Sequence, residues 1–220
     1  MKKSYLSTTL KTLDFEMHLL FRTLFIVFFS TVFFNAQAQC PVVTARASLT
    51  TICSGTNASI ELSANQIGTT YSWIITQDGI VGAADGTGSR IAQTLTTTDA
   101  ATGSVVYTIT PLANACKGKA VSVIISVNPI PVITATPLTS IIASNNAASI
   151  ALTSDVADTK FSWTVIQSGL TGAKIGSGTV IDQILTTNAE KGIATYSITP
   201  NLKGCAGEPI NAKVIVKGKS

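Results

Sequence analysis

One stretch of this chain is written twice, and the duplication restricts the fold more than any single motif does. "TTYSWIITQDGIVGAADGTGSRIAQTLTTT" starts at Thr69, and "TKFSWTVIQSGLTGAKIGSGTVIDQILTTN" starts at Thr159. Trp73 aligns with Trp163, Gly79 with Gly169, Ile91 with Ile181 and Gln93 with Gln183. One deleted residue later, "YTITPLANACKG" from Tyr107 matches "YSITPNLKGCAG" from Tyr196. The chain therefore holds two copies of one unit of roughly 90 residues.

Within each copy, short runs of alternating polarity are separated by turn residues, the period that sends successive side chains to opposite faces of a sheet. In the first copy "SIEL" places Ile60 and Leu62 on one face, and "YSWII" does so for Tyr71, Trp73 and Ile75. "VVYTIT" aligns Val105, Tyr107 and Ile109, and "AVSVIISV" aligns Val121, Val123, Ile125 and Val127. Further strands are expected near residues 42–45 and 91–95. About seven strands in such a length is the size of an immunoglobulin-like domain. Low charge, at 12% of residues, and an abundance of Thr, Ser, Val and Ile favour the same class. The expected fold is all-β: two tandem immunoglobulin-like β-sandwich domains after an N-terminal signal peptide.

Trp73, Trp163, Tyr107 and Tyr196 are assigned to the cores. Each Trp lies mid-strand, Trp73 between Ser72 and Ile74 and Trp163 between Ser162 and Thr164, and burying its ring stabilises by about 4–6 kcal/mol as an upper bound. A role in stacking on sugars would need an exposed ring face. Gln93 and Gln183 fall in phase with the flanking Ile and Leu, so each is expected to point inward and pin loop backbone; a bulge turning it outward is the alternative.

Residues 1–38 have the composition of a targeting segment. Seven of the eight Phe lie there, and the apolar stretch "TLFIVFFSTVFF" is followed by "NAQAQC". Ala36 and Ala38 supply the small residues of a cleavage site, so export with cleavage after Ala38 is expected, and no stable membrane span remains in the mature chain. Translation from Met17 would still yield a compact leader, and Met1 and Met17 both stand as starts. The domains are then expected at 39–128 and 129–220, joined by the proline-bearing "VNPIPVITATP" as a short rod. Gln39 and Gln37 are the wrong neighbours for lipidation of Cys40. Cleavage also removes His18, the single histidine, and lowers the net charge from +4 to +2. Imidazole-dependent catalysis is thereby excluded from the mature chain, and no basic patch argues for nucleic acid.

"GIVGAADGTGSR", from Gly79, invites comparison with a phosphate-binding loop. Such a loop precedes a helix and carries a Gly-Lys pair. Here a strand-like run follows, and the second copy, "GLTGAKIGSGTV", keeps the glycines while Arg90 becomes Val180. Repetition of glycine alone indicates tight turns. Asp78 and Asp85 could attract calcium, but their counterparts are Ser168 and Ile175, too few oxygens for its coordination. Glu61, Glu190 and Glu208 offer no pair facing one cleft. Neither a metal, a cofactor nor an enzymatic activity is expected.

"CSGTNASIEL", "YSWIITQDGIVGAADGTGSRIAQTL", "VVYTITPLANACKG" and "VSVIISVNP", in this order and largely repeated, resemble the PKD-like repeat of secreted and cell-surface proteins of gliding bacteria. The resemblance covers residues 41–128 and 131–217. It implies an immunoglobulin-like sandwich used for adhesion, recognition or spacing, with no catalytic residues to transfer. It also implies a disulfide between the Cys of "CSG" and that of the final hairpin, here Cys53 and Cys116. The second copy has Ala143 where the first has Cys53, so Cys205 lacks the corresponding mate. On this pattern Cys40 and Cys205 are candidate free thiols, and a free Cys205, or one linking two chains as a disulfide-bonded dimer, is favoured over a Cys40–Cys205 bridge, which an end-to-end rod would hold apart.

The function expected is that of a secreted or cell-surface adhesion or interaction protein, in the periplasm if export stops there, with an extracellular protein or glycan as partner. The alternatives are a structural spacer, a fragment of a longer repeat adhesin, and an accessory module of an exported polysaccharide-processing system.

Overall fold

The computed structural model describes residues 39–218; the expected signal peptide and both candidate start sites lie outside the described residues. Every regular element among the described residues is a strand, and no helix there is long and apolar enough to cross a membrane. The first domain contains β1 (Val43–Ala47), β2 (Thr51–Cys53), β3 (Thr56–Ala64), β4 (Thr70–Asp78) and β5 (Ile80–Val81). It continues with β6 (Gly86–Thr87), β7 (Arg90–Thr97), β8 (Gly103–Ala113), β9 (Cys116–Lys117) and β10 (Val121–Asn128). The second domain has β11 (Ile133–Thr136), β12 (Thr139–Ala143), β13 (Asn146–Ser154), β14 (Lys160–Ser168) and β15 (Gly176–Ser177). It ends with β16 (Val180–Leu185), β17 (Lys191–Leu202), β18 (Cys205–Ala206) and β19 (Ile210–Lys217).

Each domain is two sheets. In the first, one sheet runs β1-β3-β7-β5 and the other β2-β10-β8-β4-β6, with β9 folded back on β8. In the second, the sheets run β11-β13-β16 and β12-β19-β17-β14-β15, with β18 folded back on β17. The N-terminal strand changes sheet midway in both. β1 pairs antiparallel with β3 while β2 pairs parallel with β10, and β11 and β12 repeat this with β13 and β19. A strand shared between sheets staples the sandwich at its edge, as in immunoglobulin-like folds.

The cores follow from the period of two. Ile60, Ile91, Leu95, Val105, Tyr107, Ile109, Ile125 and Val127 are fully buried in the first domain, and Ile150, Ile181, Leu185, Tyr196, Ile198, Val214 and Val216 in the second. Trp73 and Trp163 are buried as well. The one element the second copy lacks is β5, which is reduced to a single bridge between Thr171 and Thr186.

Candidate functional site

Two places concentrate polar groups: the glycine-rich loop of each domain and the Ser144–Thr187 end of the second domain. In the loop, Trp73 presents its indole edge to β6, and Gly86 is its register partner. A Cβ on Gly86 would come within 2.6 Å of a Trp73 ring carbon, so only glycine lets the loop close over the ring. The equivalent contact at Gly176 and Trp163 is 2.7 Å. Gly82 has φ of +99°, and a Cβ there would run into the Thr94 carbonyl, so both space and backbone demand glycine.

The same loop is tied down by a repeated hydrogen-bond network. Trp73 Nε1 and Gln93 Nε2 both donate to the Ala84 carbonyl, at 3.1 and 2.9 Å. Gln93 Oε1 accepts from the Ala84 amide at 3.2 Å and from the Tyr107 hydroxyl at 2.8 Å. In the second domain Trp163 and Gln183 bind Lys174 in the same way, and Tyr196 donates to Gln183 at 2.9 Å. Gln93 and Gln183 thus point inward and pin backbone. Burial pushes the phenol of Tyr107, and that of Tyr196, up to about 12, so both hydroxyls are donors at any ordinary pH.

Carboxylates that might have done chemistry serve structure. Asp85 Oδ1 accepts the Ile75 amide at 2.7 Å, and Glu61 meets Arg90 at 3.0 Å on the exposed sheet face. Among the described residues no three His, Cys, Asp or Glu are grouped to hold a metal. A groove of about 650 Å³ at the far end of the second domain is lined by Ser144, Asn145, Thr187, Asn188 and Glu190. Its hydroxyls are already engaged: Ser144 Oγ donates to the Thr187 carbonyl at 3.0 Å and accepts the Thr187 amide at 2.9 Å.

The two domains differ sharply on one face. In the first, Arg46, Glu61 and Arg90 stand side by side across β1, β3 and β7. Their counterparts on β11, β13 and β16 are Thr136, Ala151 and Val180. Ile184, beside Ala147, is exposed on the same face, with Asp182 and its partner Ser149 between it and Val180.

The cysteine pairing departs from the expectation. Cys53 is bonded to Cys205 with Cα atoms 5.5 Å apart, Cys40 and Cys116 are also disulfide-bonded, and no cysteine is free. The expected Cys53–Cys116 bridge, the free thiols at Cys40 and Cys205, and the dimer through Cys205 are all overturned. Topology gives the reason. Cys53 pairs with Asn128, level with the Gly103 end of β8, whereas Cys116 pairs with Ala113 at its other end. At about 3.3 Å per residue, a strand of this length holds the two roughly 30 Å apart, far beyond the reach of a disulfide. Cys53 lies instead where the chain leaves the first domain. The Cys205 hairpin lies where the chain enters the second: a Cβ on Gly207 would run into the Pro131 carbonyl. Only Pro129 and Ile130 separate those two ends, so the bridge forms between domains. The sequence carried a signal for this. Cys53 and Cys205 hold the two positions of one motif, displaced by one repeat.

With this geometry in view, the family can be stated. The PKD-like domain family matches residues 50–131 and again 140–220. The chain belongs to that family. Among solved structures it is similar to the three N-terminal domains of the bacteriophage RB49 highly immunogenic outer capsid protein, at 11% identity and a TM-score of 0.48 over 82% of this chain and 71% of that one. It is also similar to immunoglobulin domains 1–4 of Sidekick-1, at 13% identity and 0.45 over 82% and 49%. The Yersinia pseudotuberculosis adhesin InvE gives 14% and 0.30 over 83% and 61%. Among curated proteins, none matches this sequence.

Proposed function

We propose that this PKD-like protein is an exported, non-enzymatic module that makes adhesive or other extracellular contacts with a protein partner. The observation that carries the reading is the state of the cysteines. Two intramolecular disulfides with no thiol left over belong to an oxidising compartment, where reduced cytosolic chemistry does not compete. The conspicuous polar groups support it too, since Gln93, Trp73, Tyr107 and Asp85 are spent on holding loops. The exposed Val180 and Ile184, set on either side of Asp182 on β16, favour a protein partner that can meet apolar side chains and a carboxylate together. Binding of the exported chain to whole cells and to a glycan array tests the reading. Binding to cells that Val180→Arg abolishes, with a silent glycan array, is expected; silence on both would overturn adhesion.

A second reading, a spacer that holds other parts at a distance, is favoured by the covalent tie between the domains. Silence in both binding assays would leave this one standing.

A further inference from the structure

We propose that the Cys53–Cys205 bridge makes the chain a tension-bearing link, carrying load between residues 41 and 217 while keeping the strands it encloses, β3 to β10 and β11 to β17, from being drawn out. The inference is one of connectivity. Tension applied at Pro41 and at Lys217 follows the shortest covalent path, which runs along residues 41–53, across the disulfide and along residues 205–217. The bridge spans a sequence separation of 152 residues, and everything inside it is bypassed. β3 to β10 and β11 to β17 lie within that loop and cannot be drawn out while the bond holds, whereas Val43, Ile52, Ala212, Val214 and Val216 sit on the loaded segments.

The loaded segments are themselves gripped. On the second domain, β19 lies between β12 and β17 and is held along its length by a parallel ladder on one side and an antiparallel one on the other. Pulling its end against the fixed Cys205 shears both ladders together. On the first domain the load enters β1 and β2, which are paired to different sheets. The intradomain bridge of the expected pattern would have had a different effect, leaving the entire second domain extensible. At about 3.5 Å per residue, the intact path can reach a contour length of about 90 Å, against about 600 Å for the same chain with its disulfides opened.

This proposal extends the reading of the protein as an extracellular link, yet its test is separate from binding. The full chain, with attachment tags inserted ahead of Gln39 and after Ser220, is stretched singly in a force spectrometer. Oxidised protein is expected to reach no more than about 110 Å of contour between the tags before detaching. Cys53→Ser with Cys205→Ser should add several hundred ångströms, and dithiothreitol more still, because it also opens the bond engaging Cys40 and Cys116. Cys40→Ser with Cys116→Ser should stay at the short length. Should the first double variant fail to fold, reduction of the wild-type chain after capture supplies the same comparison. Oxidised chains that lengthen by several hundred ångströms overturn the proposal, whatever they bind. Chains that stay short but bind nothing overturn only the adhesive reading.

Discussion

Gln93 is the residue on which the first domain's loop turns. Its amide group satisfies the Ala84 amide and shares the Ala84 carbonyl with Trp73, and it also takes the buried Tyr107 hydroxyl. Removing it strands the buried Tyr107 hydroxyl, a loss of about 1–3 kcal/mol, whereas the Ala84 amide is exposed and can turn to water. Gln93→Ala should therefore destabilise the first domain by about 1–3 kcal/mol in urea denaturation, and an unchanged midpoint would count against the network. Tyr107 and Tyr196 make a second prediction. Below pH 10 the phenol is neutral in both folded and unfolded chains and has no pH-dependent effect. Above it the unfolded chain ionises, whereas the folded phenols resist until about pH 12. Stability should thus fall between those values, by up to about 2–3 kcal/mol for each domain. Urea titrations at pH 9 and pH 11 would show it, and Tyr107→Phe should flatten the first domain's share of that slope.

At the scale of elements, β6 and β15 are short because their task is to close over a tryptophan. Gly86→Ala forces a methyl group against the Trp73 ring, so β6 must lift or the indole must shift. Overpacking of this kind costs about 1–3 kcal/mol, and a thermal melt together with a red shift in tryptophan emission would report it. This part of the molecule was legible in the sequence, because strand alternation, glycine spacing and the Trp, Gln and Tyr positions are local patterns that recur in both copies. The sheet-changing N-terminal strand and the clamp of Ser144 on Thr187 were not, since each joins residues distant in sequence with no periodicity to mark them. The cysteines failed to read correctly for a related reason. Pairing depends on which domain ends abut, and a motif read within one repeat cannot reveal a partner supplied by the next. The charge lost from Arg46, Glu61 and Arg90 to Thr136, Ala151 and Val180 stood in the sequence, but only strand register shows that the three positions adjoin.

For the whole molecule, the bridge couples the stabilities of two domains whose cores are separate. Consider the second domain unfolding while the first stays folded. Cys53 is then held beside Asn128, so the disulfide closes a loop running from the end of the first domain to Cys205. The converse holds as well, because the Cys205 hairpin packs beside Pro131 and closes a loop of similar size through the first domain. Loops of roughly 75 residues correspond to about 4–5 kcal/mol of lost unfolded-state freedom apiece. Both domains should therefore be destabilised together by Cys53→Ser with Cys205→Ser. Chemical denaturation followed separately at Trp73 and Trp163, using Trp→Phe variants to isolate each signal, distinguishes this from a bridge internal to one domain. A loss confined to the first domain would point to pairing of Cys53 with Cys116 and would remove the coupling. Matching losses in both would place the two sandwiches in one covalently closed unit whose halves do not fail independently.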